Sequence, residues 1–338
     1  MTIDREAAIP VRMCIPIEFK PHGGGFYFLQ SLEEYLRKKE WLITREIKGA
    51  YDLLFTNHWM TPKRDILKAF RYNPQVRIIQ RIDGAAQDYG RDPEADLRQN
   101  EVNQLADLTI FQSEYCHFST RNKFSVISQD GPVIHNPVDI NIFRPNGTRL
   151  RFPRKYQIAC VTWSTNPMKG AANVFTVAKL NPTIDFVLCG NYPDAPDLPN
   201  IHNLGLLGRK DLASALRSCH VMLTFSRNEA CPNHVLEALA CGLPVLYDGS
   251  GAMAEVIGDC GLPVTTENFS YQFQEIISMI KVRSSNARNR AIQLFSPKVI
   301  LPRYFLAFQD ALSRPPRVPI FKRKLMAWIT HPPYRFMA

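Results

Sequence analysis

Two glutamates, Glu229 and Glu237, lie near the start of a predicted helix within Ser226–Val245. Pro232 suits the first position of this helix, where a backbone N–H would have no partner. The unpaired N–H groups of residues 233–235 and the helix dipole favour an anion at this end, with one carboxylate to each side. These residues predict a site for a nucleoside diphosphate sugar, with its phosphates at the helix start and its hydroxyls on the two acids.

The spacing of the two glutamates is weak evidence by itself, because a helix cap and a surface ion pair explain it as well. The neighbouring residues add to it. Glu229–Glu237 matches the E-x7-E motif of the retaining glycosyltransferases of family 4, which have the GT-B fold, and Ala238–Val245 and Gly249–Gly261 match the helix end, strand and glycine-rich turn that follow. The chain resembles this family in weaker form over nearly its whole length, including Gly23–Gly25 and His135–Asp139.

The resemblance implies roles for three charged residues. Glu229 would face the donor sugar, Glu237 would hold the ribose hydroxyls, and Lys169 would grip the diphosphate. A cation there stabilises the charge that grows on the leaving phosphate in the transition state. The alternative for Lys169 is an exposed lysine at a helix start, where the helix dipole disfavours it.

The resemblance also implies further donor-binding residues, which lie in loops and at one helix start. They are Gly24, Gly25, Asn166, Leu207, Cys231, Asn233, His234 and Val235. Core packing explains Leu207 equally well. A glycine-rich loop lets the backbone approach phosphates, although it is a weak signal alone.

The chain departs from the family pattern at two positions that concern the phosphates. Ser164 stands where the family commonly has an arginine, and either Arg209 or Arg227 is a candidate to supply the missing charge. Pro232 has no N–H to offer the sugar, so the Cys231 N–H or the Asn233 side chain would have to replace it.

A third departure concerns the sugar side of the site. Asp83-Gly84 stands where the family often has His-Gly, and Asp83 is therefore the third catalytic candidate. A carboxylate there would accept hydrogen bonds from sugar hydroxyls or bind an amino group, but an aspartate in a turn before glycine explains it equally well. His58, at a strand end, is a further candidate for the same cleft, with a structural role at least as well supported.

No metal or cofactor is expected. The sequence contains no Asp-x-Asp pair, which other transferases use to hold a divalent cation on the diphosphate. Lys169 and the helix start would instead meet the phosphate charge, with a UDP- or GDP-linked sugar as substrate. The absence of Gly-x-Gly-x-x-Gly after the first strand argues against a nicotinamide oxidoreductase.

Composition predicts a two-domain protein that remains in the cytoplasm. The 338 residues are 45% hydrophobic and 21% charged, without an apolar run that could span a bilayer. The first residues lack the basic and apolar pattern of a secretory signal. Eight scattered cysteines without a Cys-x-x-Cys pair indicate buried, reduced thiols.

Alternating strand and helix patterns predict an α/β fold in which two Rossmann-like, doubly wound parallel sheets face each other across a cleft, as in GT-B. The expected domains are 1–145 on the acceptor side, 155–310 for the nucleotide sugar, and a basic tail, 311–338. Predicted strands are Val11–Ile17, Tyr51–Thr56, Val76–Ile82, Leu108–Gln112, Pro132–His135, Tyr156–Trp163, Phe186–Cys189, Val221–Phe225, Pro244–Tyr247 and Leu262–Val264. Predicted helices are Phe26–Lys39, 62–71, 94–105, 114–122, 170–180, 210–218, 233–241 and 268–282.

The basic charge is concentrated in the tail. Of the net +10, residues 1–310 hold +4 (35 basic minus 31 acidic), and 311–338 contain six Lys or Arg and no acid. Basic and aromatic residues together in Ile320–Thr330 suit an anionic membrane surface better than nucleic acid. A last helix packed back on the first domain explains Leu325 and Trp328 equally well.

The predicted function is metal-independent sugar transfer from a nucleotide sugar to a sugar-bearing, lipid-linked or other acceptor, with retention of configuration. Two alternatives keep the same fold. A sugar-nucleotide epimerase would need no acceptor, and a non-catalytic sugar-nucleotide-binding subunit would account for the missing arginine and histidine.

Overall fold

The computed structural model describes residues 10–17, 24–57, 60–123 and 131–330. Within these residues the strands form two parallel sheets, of five and six strands, covered by helices. The predicted pair of parallel-sheet α/β domains is therefore confirmed. The candidates Gly23 and His58 lie outside the described residues.

The first sheet has the strand order β2-β1-β3-β4-β5, and every neighbouring pair is parallel. Its strands are β1 (Arg12–Cys14), β2 (Leu42–Thr44), β3 (Leu53–Asn57), β4 (Arg77–Ile82) and β5 (Leu108–Phe111). Strand β2 was not predicted, because only three residues pair at the sheet edge. The predicted strand Pro132–His135 is wrong, since only Val133 forms a bridge, to Phe111.

Helices α1 (Gly24–Arg37), α2 (Lys63–Tyr72), α3 (Glu94–Asn103) and α4 (Glu114–Lys123) accompany this sheet, with a short 3-10 turn at Gln87–Tyr89. Helix α1 buries Leu29, Leu32 and Leu36 against the sheet, as their spacing predicted. It begins earlier than expected, however. Gly24 and Gly25 are its first residues and do not form a loop.

The second sheet has the order β11-β10-β9-β6-β7-β8, again parallel throughout. Its strands are β6 (Tyr156–Thr162), β7 (Ile184–Gly190), β8 (Ile201–Asn203), β9 (Val221–Thr224), β10 (Val245–Tyr247) and β11 (Gly261–Pro263). The strand order reverses between β6 and β9, because β7 and β8 lie on one side of β6 and β9, β10 and β11 lie on the other. Ligands of doubly wound sheets bind outside the carboxyl ends of the strands at such a reversal.

The helices of the second half are α5 (Ala171–Leu180), α6 (Arg209–Arg217), α7 (Asn233–Ala240), α8 (Met253–Ile257), α9 (Phe269–Ser278), α10 (Ile280–Phe295), α11 (Pro297–Ser313) and α12 (Ile320–Thr330). The expected helix 268–282 is interrupted at Met279, where α9 ends and α10 begins.

Helix α11 returns the chain to the first domain. Ile300, Tyr304 and Phe308 are fully buried in the same core as β1 and α1. The boundary predicted at residue 310 does not capture this packing, because α11 lies within the range expected for the second domain. The domain limits remain a prediction, and α11 is an element that the two halves of the chain share.

The tail folds as α12 and packs against α2 of the first domain. Arg323 is fully buried, with Nη2 2.5 Å from Asp107 Oδ1 and its guanidinium 4.5 Å from the centre of the Phe70 ring. The packed-back helix is thus present, but it does not account for Leu325 and Trp328. These two side chains are 54% and 57% exposed.

All eight cysteines are buried and free, as predicted for reduced thiols. No helix in the described part of the chain has the length and apolar character needed to cross a membrane.

Candidate active site

A cavity of about 340 Å³ lies between the two domains, at the carboxyl ends of β4, β6 and β9. Both domains line it, including Gly25, Tyr27, Arg81, Asp83, Tyr89 and Arg91 from the first and Ser164, Asn166, Lys169, Arg209, Asn228, Glu229, Cys231, Asn233, His234 and Glu237 from the second. The structure therefore brings all three catalytic candidates and most of the donor-binding candidates to one cleft.

Lys169 reaches the cavity from a 3-10 turn that follows β6. Asn166 caps this turn, since its Oδ1 accepts from the Met168 N–H at 2.9 Å. The next residue, Gly170, has φ +69°, and a Cβ there would lie 2.5 Å from the Phe225 carbonyl oxygen. Glycine is therefore needed to bring the turn against the strand that leads to Glu229.

Lys169 and Glu229 form a direct ion pair, between Nζ and Oε1. Their side chains are only 14% and 13% exposed, so solvent screens the pair weakly. Burial alone would raise the pKa of Glu229, but Lys169 and His234 outweigh burial and hold it below its ordinary value. Burial would likewise lower the pKa of Lys169, and Glu229 raises it instead. Both groups are charged at neutral pH.

Tyr89 of the first domain also contacts this pair, and no motif in the sequence indicated it. Its hydroxyl donates to Glu229 Oε1 at 3.1 Å, and Lys169 Nζ lies 5.6 Å from the centre of its ring. Burial, followed by the Glu229 charge, raises the pKa of Tyr89, so the phenol stays protonated and remains a donor. Its 3-10 turn has no periodic pattern that would mark it.

Glu237 lies on helix α7 with its carboxyl partly exposed to the same cavity. Burial raises the pKa of Glu237 to about 8, and Arg209 opposes this shift. Glu237 is therefore largely protonated at neutral pH. In that state it both donates and accepts hydrogen bonds, which suits a pair of ribose hydroxyls.

Of the two arginines considered as replacements at Ser164, the structure brings Arg209 to the cavity. Its guanidinium lies 4.5 Å from the centre of the Tyr27 ring and 3.6 Å from Asp139. Arg227 does not line the cavity. It is 56% exposed and lies 3.5 Å from Asp248.

The start of helix α7 differs from the sequence-based expectation. The Val235 N–H is already used, since it donates to the Pro232 carbonyl at 3.1 Å, and the Val235 side chain is fully buried in the core. Val235 therefore does not bind the donor as predicted. Asn233 and His234 do line the cavity. Burial, followed by the Lys169 charge, lowers the pKa of His234 to about 4, so its ring is neutral.

Cys231 and Asn233 are held from the first domain by Asn136, in the His135–Asp139 segment. Asn136 Nδ2 lies 3.1 Å from the Cys231 carbonyl oxygen and 3.0 Å from Asn233 Oδ1. The role proposed for these residues in replacing the missing Pro232 N–H thus depends on an interdomain contact.

Asp83 lies in the cavity wall, 3.7 Å from the guanidinium of Arg81. Arg81 is buried and donates to Tyr304 and Asn57 at 2.9 and 2.6 Å, and also to Asn136. This network fixes a cation behind Asp83 on the first-domain side of the cleft. The position agrees with the site role expected for Asp83, which remains a prediction.

Two of the predicted donor-binding residues, Gly25 and Leu207, differ in whether they line the cavity. Gly25 lines the cavity at the start of α1. Leu207 packs against the core of the second domain and is not part of the cavity wall. Its core-packing explanation is the one that the structure supports.

Comparison with known proteins shows which sequences and folds the chain resembles. Residues 171–281 match the family model described as Glycosyl transferases group 1. D-inositol 3-phosphate glycosyltransferase of Mycobacterium avium (strain 104) is 25% identical over 242 residues, which are 62% of this chain and 56% of that protein. MMP alpha-(1->4)-mannosyltransferase of Mycolicibacterium hassiacum is 24% identical over 213 residues, 56% of this chain and 51% of that protein. The chain thus spans about half the length of these relatives.

Solved structures give the fold. Sucrose-phosphate synthase from Thermosynechococcus elongatus superposes with a TM-score of 0.74 at 15% identity, covering 90% of this chain and 100% of that one. HepE of Anabaena, solved in complex with UDP and glucose, gives a TM-score of 0.69 at 14% identity, covering 89% and 100%. In sequence the chain is thus similar to the group 1 glycosyl transferases, the family 4 type that its Glu229–Glu237 motif indicated, and its fold is GT-B.

Proposed function

We propose that this chain is a glycosyltransferase that moves a sugar from a nucleoside diphosphate to a sugar-bearing or lipid-linked acceptor. The observation that supports this most is the buried Lys169–Glu229 pair at the strand-order reversal of the second sheet, with Glu237 on the helix that follows. A cation, an ionised acid and a protonated acid around one cavity match the three parts of a nucleotide sugar.

The proposed roles follow from these charges. Lys169, with Arg209 nearby, stabilises the diphosphate as it leaves, which is the largest electrostatic demand of the reaction. Glu229 accepts hydrogen bonds from the donor sugar, and Glu237 holds the ribose. Asp83 lies on the opposite wall, where the acceptor would enter. Retention of configuration is inferred from the family resemblance, and independence of metals from the two cations and the missing Asp-x-Asp pair.

The donor is proposed to be linked to uridine or guanosine diphosphate. HepE, which shares the fold, was solved with UDP and with UDP-glucose. A thermal-shift screen of nucleoside diphosphates identifies the base, because a ligand that binds the folded state raises the unfolding temperature. Stabilisation by UDP or GDP supports the proposal, and none by any nucleoside diphosphate contradicts it.

Two variants separate the roles of the glutamates. Glu237→Ala is expected to weaken nucleotide binding by roughly 1–3 kcal/mol, the cost of leaving buried hydrogen-bonding groups without their partner. Glu229→Ala should reduce turnover more than affinity. Isothermal titration with the nucleoside diphosphate, beside an assay of sugar transfer, measures both. The opposite pattern would reverse the two assignments.

Two other functions remain as outcomes of these assays. An epimerase would convert the nucleotide sugar without any acceptor and release no nucleoside diphosphate. A binding subunit would bind the nucleotide sugar and turn over none of it. Release of nucleoside diphosphate that depends on an acceptor distinguishes the transferase from both.

We also propose that α12 attaches the protein to an anionic membrane. Phe321, Leu325, Trp328 and Ile329 form one stripe of the helix, and each is more than half exposed. At 100° per residue this stripe is opposite the buried face formed by Arg323 and Ala327. It therefore points away from the protein body.

Lysines flank the stripe on both sides. Lys322 and Lys324 are exposed, and each contributes about 1 kcal/mol near an anionic surface. The tail offers a membrane less positive charge than its sequence indicates, because Arg323 pairs with Asp107 and Arg314 with Asp310. Apolar burial must then supply most of the binding, with Trp328 at the level of the headgroups.

Co-sedimentation with vesicles containing anionic lipid, at low and high salt, tests this surface. Leu325→Glu with Trp328→Glu should abolish binding without affecting folding, since both side chains face solvent. Leu180→Glu is the matched control, because Leu180 is 68% exposed on another helix. Failure of the wild-type protein to bind at low salt, or unchanged binding of the double variant, contradicts the proposal.

A further inference from the structure

The 3-10 turn Gln87–Tyr89 of the first domain lies directly over the Lys169–Glu229 pair of the second. The Tyr89 hydroxyl donates to Glu229 Oε1 at 3.1 Å, the same oxygen that Lys169 contacts. A residue that is distant in the chain and belongs to the other domain thus supplies the second donor to this carboxylate.

Two backbone carbonyls of the same turn accept hydrogen bonds from the second domain. Asn228 Nδ2 donates to the Asp88 carbonyl at 2.6 Å, and Asn166 Nδ2 donates to the Tyr89 carbonyl at 3.1 Å. Asn228 immediately precedes Glu229, and Asn166 caps the turn that ends at Lys169. Each half of the ion pair is therefore adjacent to one interdomain hydrogen bond.

The backbone on both sides of this contact has conformations that few residue types tolerate. Asn228 has φ +54°, a left-handed conformation that only glycine adopts without cost and that asparagine tolerates better than most residues. Gly90 has φ +64°, and a Cβ there would lie 3.2 Å from the Met168 side chain. The backbone at position 228 favours glycine, but glycine has no side chain to bond to the Asp88 carbonyl. Asparagine tolerates this backbone and supplies the amide that donates that hydrogen bond.

We propose that residues 87–90, Asn166 and Asn228 form an interdomain clasp, and that Tyr89 is a positioning residue that holds Glu229 for sugar transfer. The positioning role rests on the proposed function. When the donor diphosphate draws Lys169 toward the phosphates, Tyr89 remains as a neutral donor on Glu229 and keeps its carboxylate aimed at the sugar. The clasp makes this arrangement depend on contact between the domains.

Tyr89→Phe tests the positioning role, because it removes one hydroxyl and keeps the ring over Lys169. We expect turnover to fall about 10- to 100-fold, the loss typical of a hydrogen bond to a charged group, with nucleoside diphosphate affinity within about twofold of wild type. Tyr271→Phe, on a 69% exposed side chain in α9, is the control and should change neither value. Turnover within about twofold of wild type, or an equal loss of nucleotide affinity, overturns the role.

The clasp has a test that needs no activity. Asn228→Gly keeps the left-handed backbone and removes only the amide, and Asn166→Ala removes the other donor. Small-angle X-ray scattering of this double variant should give a larger radius of gyration than wild type, because two of the hydrogen bonds that hold the domains close together are lost. An unchanged radius overturns the clasp. If the wild-type enzyme turns over no sugar nucleotide, the proposed function and the positioning role fail together, and scattering decides the clasp separately.

Discussion

At the scale of single residues, the protonation states of the site follow from burial and from neighbouring charge. Lys169 and Glu229 are both buried, but each opposes the pKa shift that burial would cause in the other. For Glu237, burial raises the pKa by more than the charge of Arg209 lowers it, so the pKa of Glu237 rises. One helix start therefore holds an ionised and a protonated glutamate at neutral pH, which gives the two acids different hydrogen-bonding capacities.

Lys169→Ala should lower turnover by about 10²–10³-fold, the usual loss when one preorganised charge at a transition state is removed. The variant also leaves Glu229 without its nearest cation, so part of the loss comes from the pKa of that carboxyl. Steady-state kinetics with the donor identified by thermal shift measure the effect. Lys179→Ala, on an exposed lysine of α5, is the control. Turnover close to wild type for Lys169→Ala would remove this lysine from the mechanism.

Stability should depend on pH through Glu237. Its pKa is about 8 in the folded protein and near 4.5 without burial, so between these values the folded state holds a proton that the unfolded chain has released. Stability from this group is therefore complete below about pH 4.5 and is lost as pH rises through 8. Glu237→Gln removes the dependence. The Tm of this variant relative to wild type should increase from pH 5 to pH 8.5 by at least about 2 °C.

Differential scanning fluorimetry across this pH range measures that difference. Glu34→Gln, on an exposed glutamate of α1, provides the baseline for a carboxyl that folding leaves in solvent. If the difference in Tm between Glu237→Gln and wild type stays constant from pH 5 to pH 8.5, the Glu237 carboxyl ionises with its ordinary pKa.

At the scale of elements, α12 is fixed by polar contacts on one face and leaves an apolar stripe on the other. Asp107 accepts from the Arg317 N–H at 2.7 Å and from the Ile78 N–H at 2.8 Å, in addition to its ion pair with Arg323. These contacts bind the tail to the amino ends of β4 and β5. A weakly charged, rigidly held helix with outward aromatic residues suits insertion at an interface better than a free tail does.

Arg323→Ala should release α12. Loss of one partner from a buried ion pair costs about 3–5 kcal/mol, and the two N–H donors that remain on Asp107 place the expected loss near the lower end, about 3 kcal/mol. Chemical denaturation measures the free energy of unfolding, and limited trypsin digestion reports exposure of the bonds after Lys322 and Lys324. Ile329→Ala is the control, because its side chain is 65% exposed on the same helix and the change leaves both trypsin sites in place. An unchanged digestion pattern for Arg323→Ala would mean that this ion pair does not hold the helix.

At the scale of the whole molecule, three features join the described parts of the two domains around the cavity, in addition to the contact of Asn136 with Cys231 and Asn233. Helix α11 packs in the core of the first domain after the chain has completed the second. Glu255 of α8 accepts from the Glu114 N–H at the start of α4 at 3.0 Å and contacts His135 Nε2 at 2.7 Å. The contact at Tyr89 is the third. The cavity is therefore enclosed by contacts that depend on both domains.

The product of transfer should keep the anomeric configuration of the donor sugar, and excess EDTA should leave the rate unchanged. Retention follows from the family resemblance, and metal independence from Lys169 and Arg209, which meet the phosphate charge. Proton NMR of the fresh product gives the configuration, because the anomeric coupling constant differs between the two forms. An inverted product would instead assign Asp83 as a general base that activates the acceptor.

The sequence by itself predicted most of the strands and the residues of the second domain that line the cavity. Alternating strand and helix patterns predicted most strands of both sheets, because each is a short buried run bounded by turn residues. Glu229, Cys231, Asn233, His234 and Glu237 were found because one turn and one helix hold them all, so that local spacing fixes their geometry. The short edge strands β2 and β8 were missed, since three paired residues give too little pattern.

Only the tertiary structure decided which distant residues complete the site. Tyr89 and Glu229 are 140 positions apart, and their contact depends on how the domains pack. The choice of Arg209 over Arg227 and the burial of the Val235 side chain likewise depend on which way each backbone segment faces the cleft. The same holds for α12, whose composition is compatible with docking and with membrane contact. Packing of Arg323 and Ala327 against the first domain determined which face is buried, because a helix can bury only the side that its neighbour covers.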